Sequence, residues 1–239
     1  MNTFTYTAWV NPDTSGEGGV GRICDKTSGS KVLSWLSTNR LRCLVARMTT
    51  NANAESNDNE MVLDVWQFVA GQFNDVAGFP KLFRGSIAAE VAEMTYAAQT
   101  LGSGTISSDS AGNFVLGNNS GGTATWDGAL ADFRLYDVIL SLSELKAIQR
   151  GWLVRPEALR LWQMLYGVVS PEPDWSGNAN NGTLTGTIQV DGPPGRVVVP
   201  IWHGPRSVQR VPPAPSVGHP TMRRWGGVPG MVYTGRRTW

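Results

Sequence analysis

NFVLGNNSGGTATWDGALADFRLYDVILSLSEL, residues Asn113 to Leu145, is the stretch whose reading decides the fold. Phe114–Leu116 is a short apolar strand. The run from Gly117 to Gly122 is a polar glycine turn, and a second pair of strands falls around Trp126–Tyr136, with Gly128 at the tight turn between them. Ala129, Ala131, Phe133 and Leu135 alternate with Leu130, Asp132, Arg134 and Tyr136, which predicts a strand with two distinct faces. A short helix follows near Ser141–Arg150. Ser141 and Glu144 stand at capping-box spacing, in which hydroxyl and carboxylate satisfy the first free backbone N–H groups reciprocally.

The chain upstream of this stretch reads as more sheet. Phe4, Tyr6, Ala8 and Val10 alternate with Thr3, Thr5, Thr7 and Trp9. Shorter strands are expected at Val20–Asp25, Val32–Ser37, Leu41–Met48, Glu60–Leu63 and Pro80–Arg84. From Trp66 to Phe73 both faces carry apolar groups, which predicts a central strand packed on each side. Glu90–Tyr96 reads equally as strand or helix. Trp9, Trp35 and Trp66 read as core. Composition agrees: 16% of the 239 residues are charged, and glycine numbers 28 and tryptophan 10, which suits short strands joined by tight turns. The formal net charge of +1 gives no global field to recruit nucleic acid or a membrane surface. No apolar run approaches a membrane span. The opening MNTFTYTAWVNP lacks a basic segment followed by an apolar core, so no secretory signal is expected. Cys24 and Cys43 lie on neighbouring strand-like stretches. They read either as a disulfide or as two free buried thiols, and the second suits assembly in a reducing cytoplasm.

Three blocks carry a family resemblance. FTYTAWVNP (Phe4–Pro12) is similar to an early strand in which an aromatic precedes Ala-Trp-Val. WQFVAGQFN (Trp66–Asn74) is similar to a central strand, and Phe114–Leu145 to a closing block. In this order they resemble the laminin-G-like family of concanavalin-A-type jelly rolls over roughly residues 1 to 150. The resemblance implies an all-β, two-sheet antiparallel jelly-roll sandwich with one short helix. It implies little about activity, because many functions sit on this scaffold. It also implies a Ca²⁺ option at a rim, with Asn118, Asn119, Asp127, Asp132 and Asp174 as oxygen donors.

Downstream, residues 1–152 are taken as the jelly roll, 153–191 as a returning segment that completes the sheet, and 192–239 as an extended arm. SPEPDWSGNANNGTLTGT (Ser170–Thr187) is similar to a segment that usually opens such a jelly roll. It reads as a permuted edge or as the start of a second repeat. After Asp191 there is no acidic residue. Seven prolines from Pro200 to Pro229 follow Gly-Pro-Pro-Gly, and they exclude long helices and central strands. Trp202, Arg206, Arg210, Arg223, Arg224, Trp225, Tyr233, Arg236, Arg237 and Trp239 give this arm the side chains that dominate binding hot spots.

The search for catalytic groups returns little. Glycoside hydrolysis needs two facing carboxylates. The nearest acidic set, Glu55, Asp58, Glu60 and Asp64, falls in an Asn-rich connection. His203 and His219 lie in the arm, outside any rigid strand. Asn118, Asn119, Trp126 and Asp127 remain as sugar candidates, with Trp126 able to stack on a ring, and Asp132 and Asp174 as metal candidates. The expectation is a non-enzymatic virion structural protein assembled in a host cytoplasm. Such a protein would be a phage capsid decoration or tail-associated protein, homo-oligomeric, and docked on capsid or tail subunits through its arm. The alternative is a carbohydrate-binding module, with or without calcium. Membrane and nucleic-acid partners are not expected.

Overall fold

The structure is a computed structural model. It describes residues 1–193 apart from 28, 77, 111 and 166–169, together with the backbone of 231–238. Its strands are β1 (Thr3–Pro12), β2 (Val20–Lys26), β3 (Lys31–Leu36), β4 (Arg40–Val45), β5 (Ala52–Ser56), β6 (Gln67–Asn74), β7 (Lys81–Ser86), β8 (Ala92–Glu93), β9 (Tyr96–Thr100), β10 (Phe114–Leu116), β11 (Gly128–Tyr136), β12 (Leu159–Gln163), β13 (Thr183–Asp191) and β14 (Met231–Thr238). The helix α1 spans Leu142–Gln149. Two antiparallel sheets of six strands face each other. The first runs β8-β7-β6-β1-β11-β12 and the second β10-β2-β3-β4-β5-β9. The backbone of β14 lies between β11 and β10, and β13 pairs with β14. The jelly-roll sandwich read from the sequence is therefore the fold.

The space between the sheets is filled by Phe4, Tyr6, Val10, Leu33, Trp35, Leu41, Cys43, Val69, Phe73 and their neighbours. The sheets are close-packed at Gly71, where a Cβ would meet the Leu33 Cδ1 at 2.9 Å. A second apolar layer covers the outer side of the first sheet. There Trp66, Phe68 and Ala70 of the β6 region pack with Leu145 and Ile148 of α1 and with Trp162 of β12. The β6 region is thus apolar on both sides, as its sequence requires. The helix opens on a complete capping box: Glu144 N–H donates to Ser141 Oγ at 3.3 Å, and Ser141 N–H donates to Glu144 Oε2 at 2.8 Å. At its other end Gln149 donates to the carbonyls of Ser86 and Ala89 and accepts from Val91 N–H, tying α1 to the β7–β8 turn.

Five sequence expectations change. The Asn-rich connection that holds Glu55 contains a strand, β5, with Ala52, Ala54 and Ser56 buried. The strand expected at Glu60–Leu63 is a turn. Gln67 holds it by accepting from Val62 N–H and donating to the carbonyls of Val62 and Val65, and Asp64 takes φ 56°. The segment around Trp126–Tyr136 is one strand, β11, and not a pair. Its alternation also slips: Ala129 and Ala131 face the outer layer, whereas Phe133 and Leu135 face the interior. The cause is a bulge opposite β1, where the register shifts between Thr7 and Trp9 and Asp132 adopts φ 48°. Finally, Glu90–Tyr96 resolves into the two-residue β8 and the start of β9.

Cys24 and Cys43 are free, buried thiols. Each pairs with Leu33, from opposite sides, so β3 runs between them. Two strand spacings are about 9.5 Å, beyond the roughly 7 Å that a disulfide spans between Cα atoms. Burial raises both thiol pKa values, that of Cys43 to about 12.

Residues 153–191 supply β12, the sixth strand of the first sheet, and β13. Asp191 pairs with Met231 across the β13–β14 ladder. Of the arm residues singled out above, Tyr233, Arg236 and Arg237 lie on the backbone of β14, paired within this same chain. Trp202, Arg206, Arg210, Arg223, Arg224, Trp225 and Trp239 lie outside the described residues.

Candidate functional site

The residues marked by sequence for sugar or calcium do not converge. Trp126 is 2% exposed and meets Trp35 edge-on, ring centroids 6.0 Å apart, so its face is not open to a sugar. Asn118 is buried and closes its own loop, accepting from Asn119 N–H and Ala124 N–H and donating to Thr125 Oγ1. Asn119 exchanges hydrogen bonds with Thr123 four residues on. Asp127 accepts from Thr14 Oγ1 at one end of the sandwich, near Asp13 and Asp64. Burial first, then the charges of those two carboxylates, raises the Asp13 pKa. Asp174 organises the loop beside β12, accepting from the N–H groups of Trp162, Ser176 and Asn180 and from Ser176 Oγ. A carboxylate surrounded by four donors has no lone pairs left over for a cation. Among the described residues no three His, Cys, Asp or Glu side chains are placed to share a metal ion. The five candidate oxygens therefore do not fit one calcium site.

Asp132 belongs to a different structure. Its carboxylate accepts from Arg134 Nε at 2.8 Å and Nη2 at 3.0 Å, and from Trp162 Nε1 at 2.8 Å. Arg134 also donates to the Trp152 carbonyl at 2.7 Å and lies 4.4 Å from the Trp162 ring centroid. This buried pair fastens β11 to β12 and to the segment after α1.

The outer face of the second sheet is organised otherwise. Leu41, Cys43, Val45, Ala52 and Ala54 point inward, so Arg40, Arg42, Leu44, Asn53 and Glu55 point outward. Register then defines two rows across the strands. The first is Arg22–Ser34–Arg42–Glu55 and the second Asp25–Val32–Leu44–Asn53. Arg22 and Asp25 are three apart and would ordinarily face opposite sides of a strand. The ladder shifts between Arg22 and Cys24, making Ile23 an inserted residue, and this bulge brings both onto the outer face.

The polar groups on this face are incompletely paired. Among the described residues, Arg22 Nε, Asp25 Oδ2, Ser34 Oγ, Arg42 Nε and Asn53 Oδ1 are buried and have no hydrogen-bond partner. Asp25 Oδ1 accepts from Gly29 N–H, but Oδ2 stands 3.8 Å from Arg22 Nε, an ion-pair contact too long for a hydrogen bond. Glu55 is committed elsewhere: Oε2 accepts from Arg40 Nη1 and Oε1 from Asn53 Nδ2. Burial raises the Asp25 pKa, against the pull of the Gly29 N–H and Arg22. Burial, followed by the like charge of Arg22, lowers that of Arg42. Sequence reading missed this site. Its signal was an arginine and an aspartate at odd spacing within one strand, which shows a shared face only once the bulge is known.

A two-sheet antiparallel sandwich whose flanking sheet is sealed by a helix, and whose opposite sheet keeps a polar outer face, is a lectin-type jelly roll. The chain belongs to the concanavalin A-like lectin/glucanases superfamily, whose family model matches residues 1–146. Solved structures agree on the fold. A candidate carbohydrate-binding protein of Bacteroides ovatus superposes with a TM-score of 0.55 at 18% identity, covering 76% of this chain and 51% of that one. The enzymatically active domain of tailspike protein 2 of bacteriophage CBA120 does so with a TM-score of 0.50 at 13% identity, covering 68% of this chain and 26% of that one. This chain thus spans about half the length of the first and about a quarter of the second. No curated protein matches it.

Proposed function

We propose that the chain is a non-catalytic glycan-binding module and that the glycan lies on the outer face of the second sheet. The observation that carries this reading is the cluster of five buried polar atoms without a hydrogen-bond partner among the described residues on that face, two of which, Arg22 Nε and Asp25 Oδ2, stand as an ion pair at 3.8 Å. A buried polar atom left unpaired costs about 1–3 kcal/mol, so the cluster marks an unsatisfied polar layer, Ser34 fully buried within it, that a polar ligand would approach through the half-buried Arg22, Arg42, Asn53 and Glu55. Sugar hydroxyls both donate and accept, and so serve guanidinium N–H groups, a serine hydroxyl and amide or carboxylate oxygens alike. The fold shared with the Bacteroides ovatus protein supports the reading. Apart from Asp25, the carboxylates near this face are engaged by neighbouring donors, which favours binding over hydrolysis. Glu55 and Asp58 both serve Arg40, and Glu60 accepts from Thr95 Oγ1.

The module's setting, in this proposal, is a phage particle, with capsid or tail subunits and further copies of itself as partners. The fold shared with a tailspike domain supports this setting, as does the Trp- and Arg-rich sequence between Asp191 and Met231.

A glycan array read with the whole chain and with Arg42→Gln tests the binding site. Binding to a defined subset of glycans, abolished by the glutamine in a chain that still melts cooperatively, is the expected result. No binding to any glycan, or binding indifferent to Arg42→Gln, overturns it. Mass spectrometry of gradient-purified particles tests the setting, and absence of the chain from them removes it.

A further inference from the structure

We infer that β14 is exchanged between copies of this chain, so that residues 231–238 of one molecule fill the seam between β10 and β11 of the next. The inference is independent of glycan binding and rests only on the part of the proposal that makes further copies partners. The seam calls for a strand. β12 pairs with β11 from Phe133 to Tyr136 only, so the Gly128–Ala131 half of β11 lies beyond it, and β10 is the last strand of the second sheet. The two are joined through β14, which sets Tyr233 opposite Leu130 on one side and Arg237 and Thr238 opposite Leu116 and Val115 on the other. Without β14 both would present open backbone edges there. β13 completes the slot by pairing with β14 from Thr183 to Asp191.

The connection to β14 points to a neighbouring copy as its source. Asp191 and Met231 are ladder partners, so their Cα atoms stand about 5 Å apart when both belong to one chain. A hairpin closed in that way needs about two to five residues. Here residues 192–230 intervene, with nine prolines among them. Proline-rich sequence is a semi-rigid, extended spacer at about 3.1 Å per residue, so bringing its ends together is unfavourable, whereas a span on the order of 100 Å reaches a second body. Handing β14 to a neighbour keeps every ladder pair and removes the need for the ends to meet. Charge is divided in the same sense. Residues 1–191 carry 13 basic and 19 acidic side chains, a net −6, and residues 192–230 carry five arginines and no acid. A basic connection crossing between two acidic bodies draws together what would otherwise repel.

Two single-cysteine versions of the whole chain, Ile188→Cys and Thr234→Cys, test this. Ile188 and Thr234 are opposite each other on β13 and β14, within disulfide reach, and Ile188 is 66% exposed. The native Cys24 and Cys43 are buried. Co-expressed with tags of different size and oxidised, the two versions should form a disulfide-linked heterodimer on a non-reducing gel, at several times the yield of any covalent dimer from either version alone. A chain carrying both cysteines should give covalent oligomers, and light scattering of the unmodified chain should give the mass of two or more copies at micromolar concentration. If the doubly substituted chain closes as a cross-linked monomer and the mixed chains stay separate, β14 belongs to its own body and the inference is wrong. A monomeric mass for the unmodified chain, or no cross-link in either arrangement, overturns it as well. These readings use purified chain without glycan or particle, so their failure is distinct from failure of the glycan site or of the phage setting.

Discussion

In β11 the bulge at Asp132 sets an aspartate and an arginine on the outer side of the first sheet, and in β2 the bulge at Ile23 does the same on the second. The β11 pair is closed. Arg134 makes two hydrogen bonds to Asp132, one to the Trp152 carbonyl, and stacks on Trp162, all beneath cover. The β2 pair is open, with Arg22 and Asp25 at 3.8 Å and an unpaired atom on each. One local irregularity thus serves two purposes, and what surrounds it decides which. Where β12 and the segment after α1 supply partners, the charges become a fastening. Where nothing described supplies them, the charges stay incompletely paired.

This contrast breaks most visibly at Arg134. Arg134→Ala strands the Asp132 carboxylate in a buried site and should cost about 3–5 kcal/mol, read as a shift of the urea midpoint. The corresponding removal on the open side should go the other way. Ser34→Ala deletes a buried hydroxyl that has no partner, and should leave the unliganded chain as stable or more stable by about 1 kcal/mol. A loss comparable to that of Arg134→Ala would mean that the two faces are not different in kind. Ser141→Ala probes the cover itself: losing the capping box should cost about 1 kcal/mol and lower the melting temperature modestly.

The smallest effect is a pH dependence at Asp25. Its native pKa is raised, chiefly by burial. At low pH both folded and unfolded chains hold the proton. As pH rises past the ordinary aspartate value, about 3.9, the unfolded chain releases its proton first and the fold loses stability until the native carboxyl also ionises. Asp25→Asn should flatten that slope and gain on the parent chain towards neutral pH. Urea melts at stepped pH measure this, and parallel curves for the two chains would show that Asp25 is not under strain.

Much of the scaffold was legible because it depends on local pattern. The apolar run from Trp66 to Phe73 required cover on both sides and has it. Ser141 and Glu144 announced a helix start that forms as written. The errors fall where tertiary pairing overrides pattern. Nothing in GALADFRLY says that Asp132 will take a left-handed conformation, because the reason is the ladder with β1 and the waiting partners on β12. Met61-Val62-Leu63 looked like a strand, but a single side chain, Gln67, gathers it into a turn. The candidate site was illegible for the same reason. Val20–Asp25 reads as an unremarkable strand until the register with β3 shows that Ile23 is surplus. Trp126 and Asp174 looked like ligand contacts because aromatic and acidic residues near turns do so in general. Here the ring joins the core and the carboxylate knits its own loop.

The inserted Ile23 has a genetic consequence. Its side chain is fully buried in the interior beside that of Cys24, so two successive residues face inward and β2 carries one residue more than β3 offers. Deleting that single codon would leave Arg22 opposite Ser34 and Asp25 opposite Val32, both still on the outer face, and would remove the bulge with one interior side chain. A one-residue change in length at this point can therefore be absorbed without turning over the outer face.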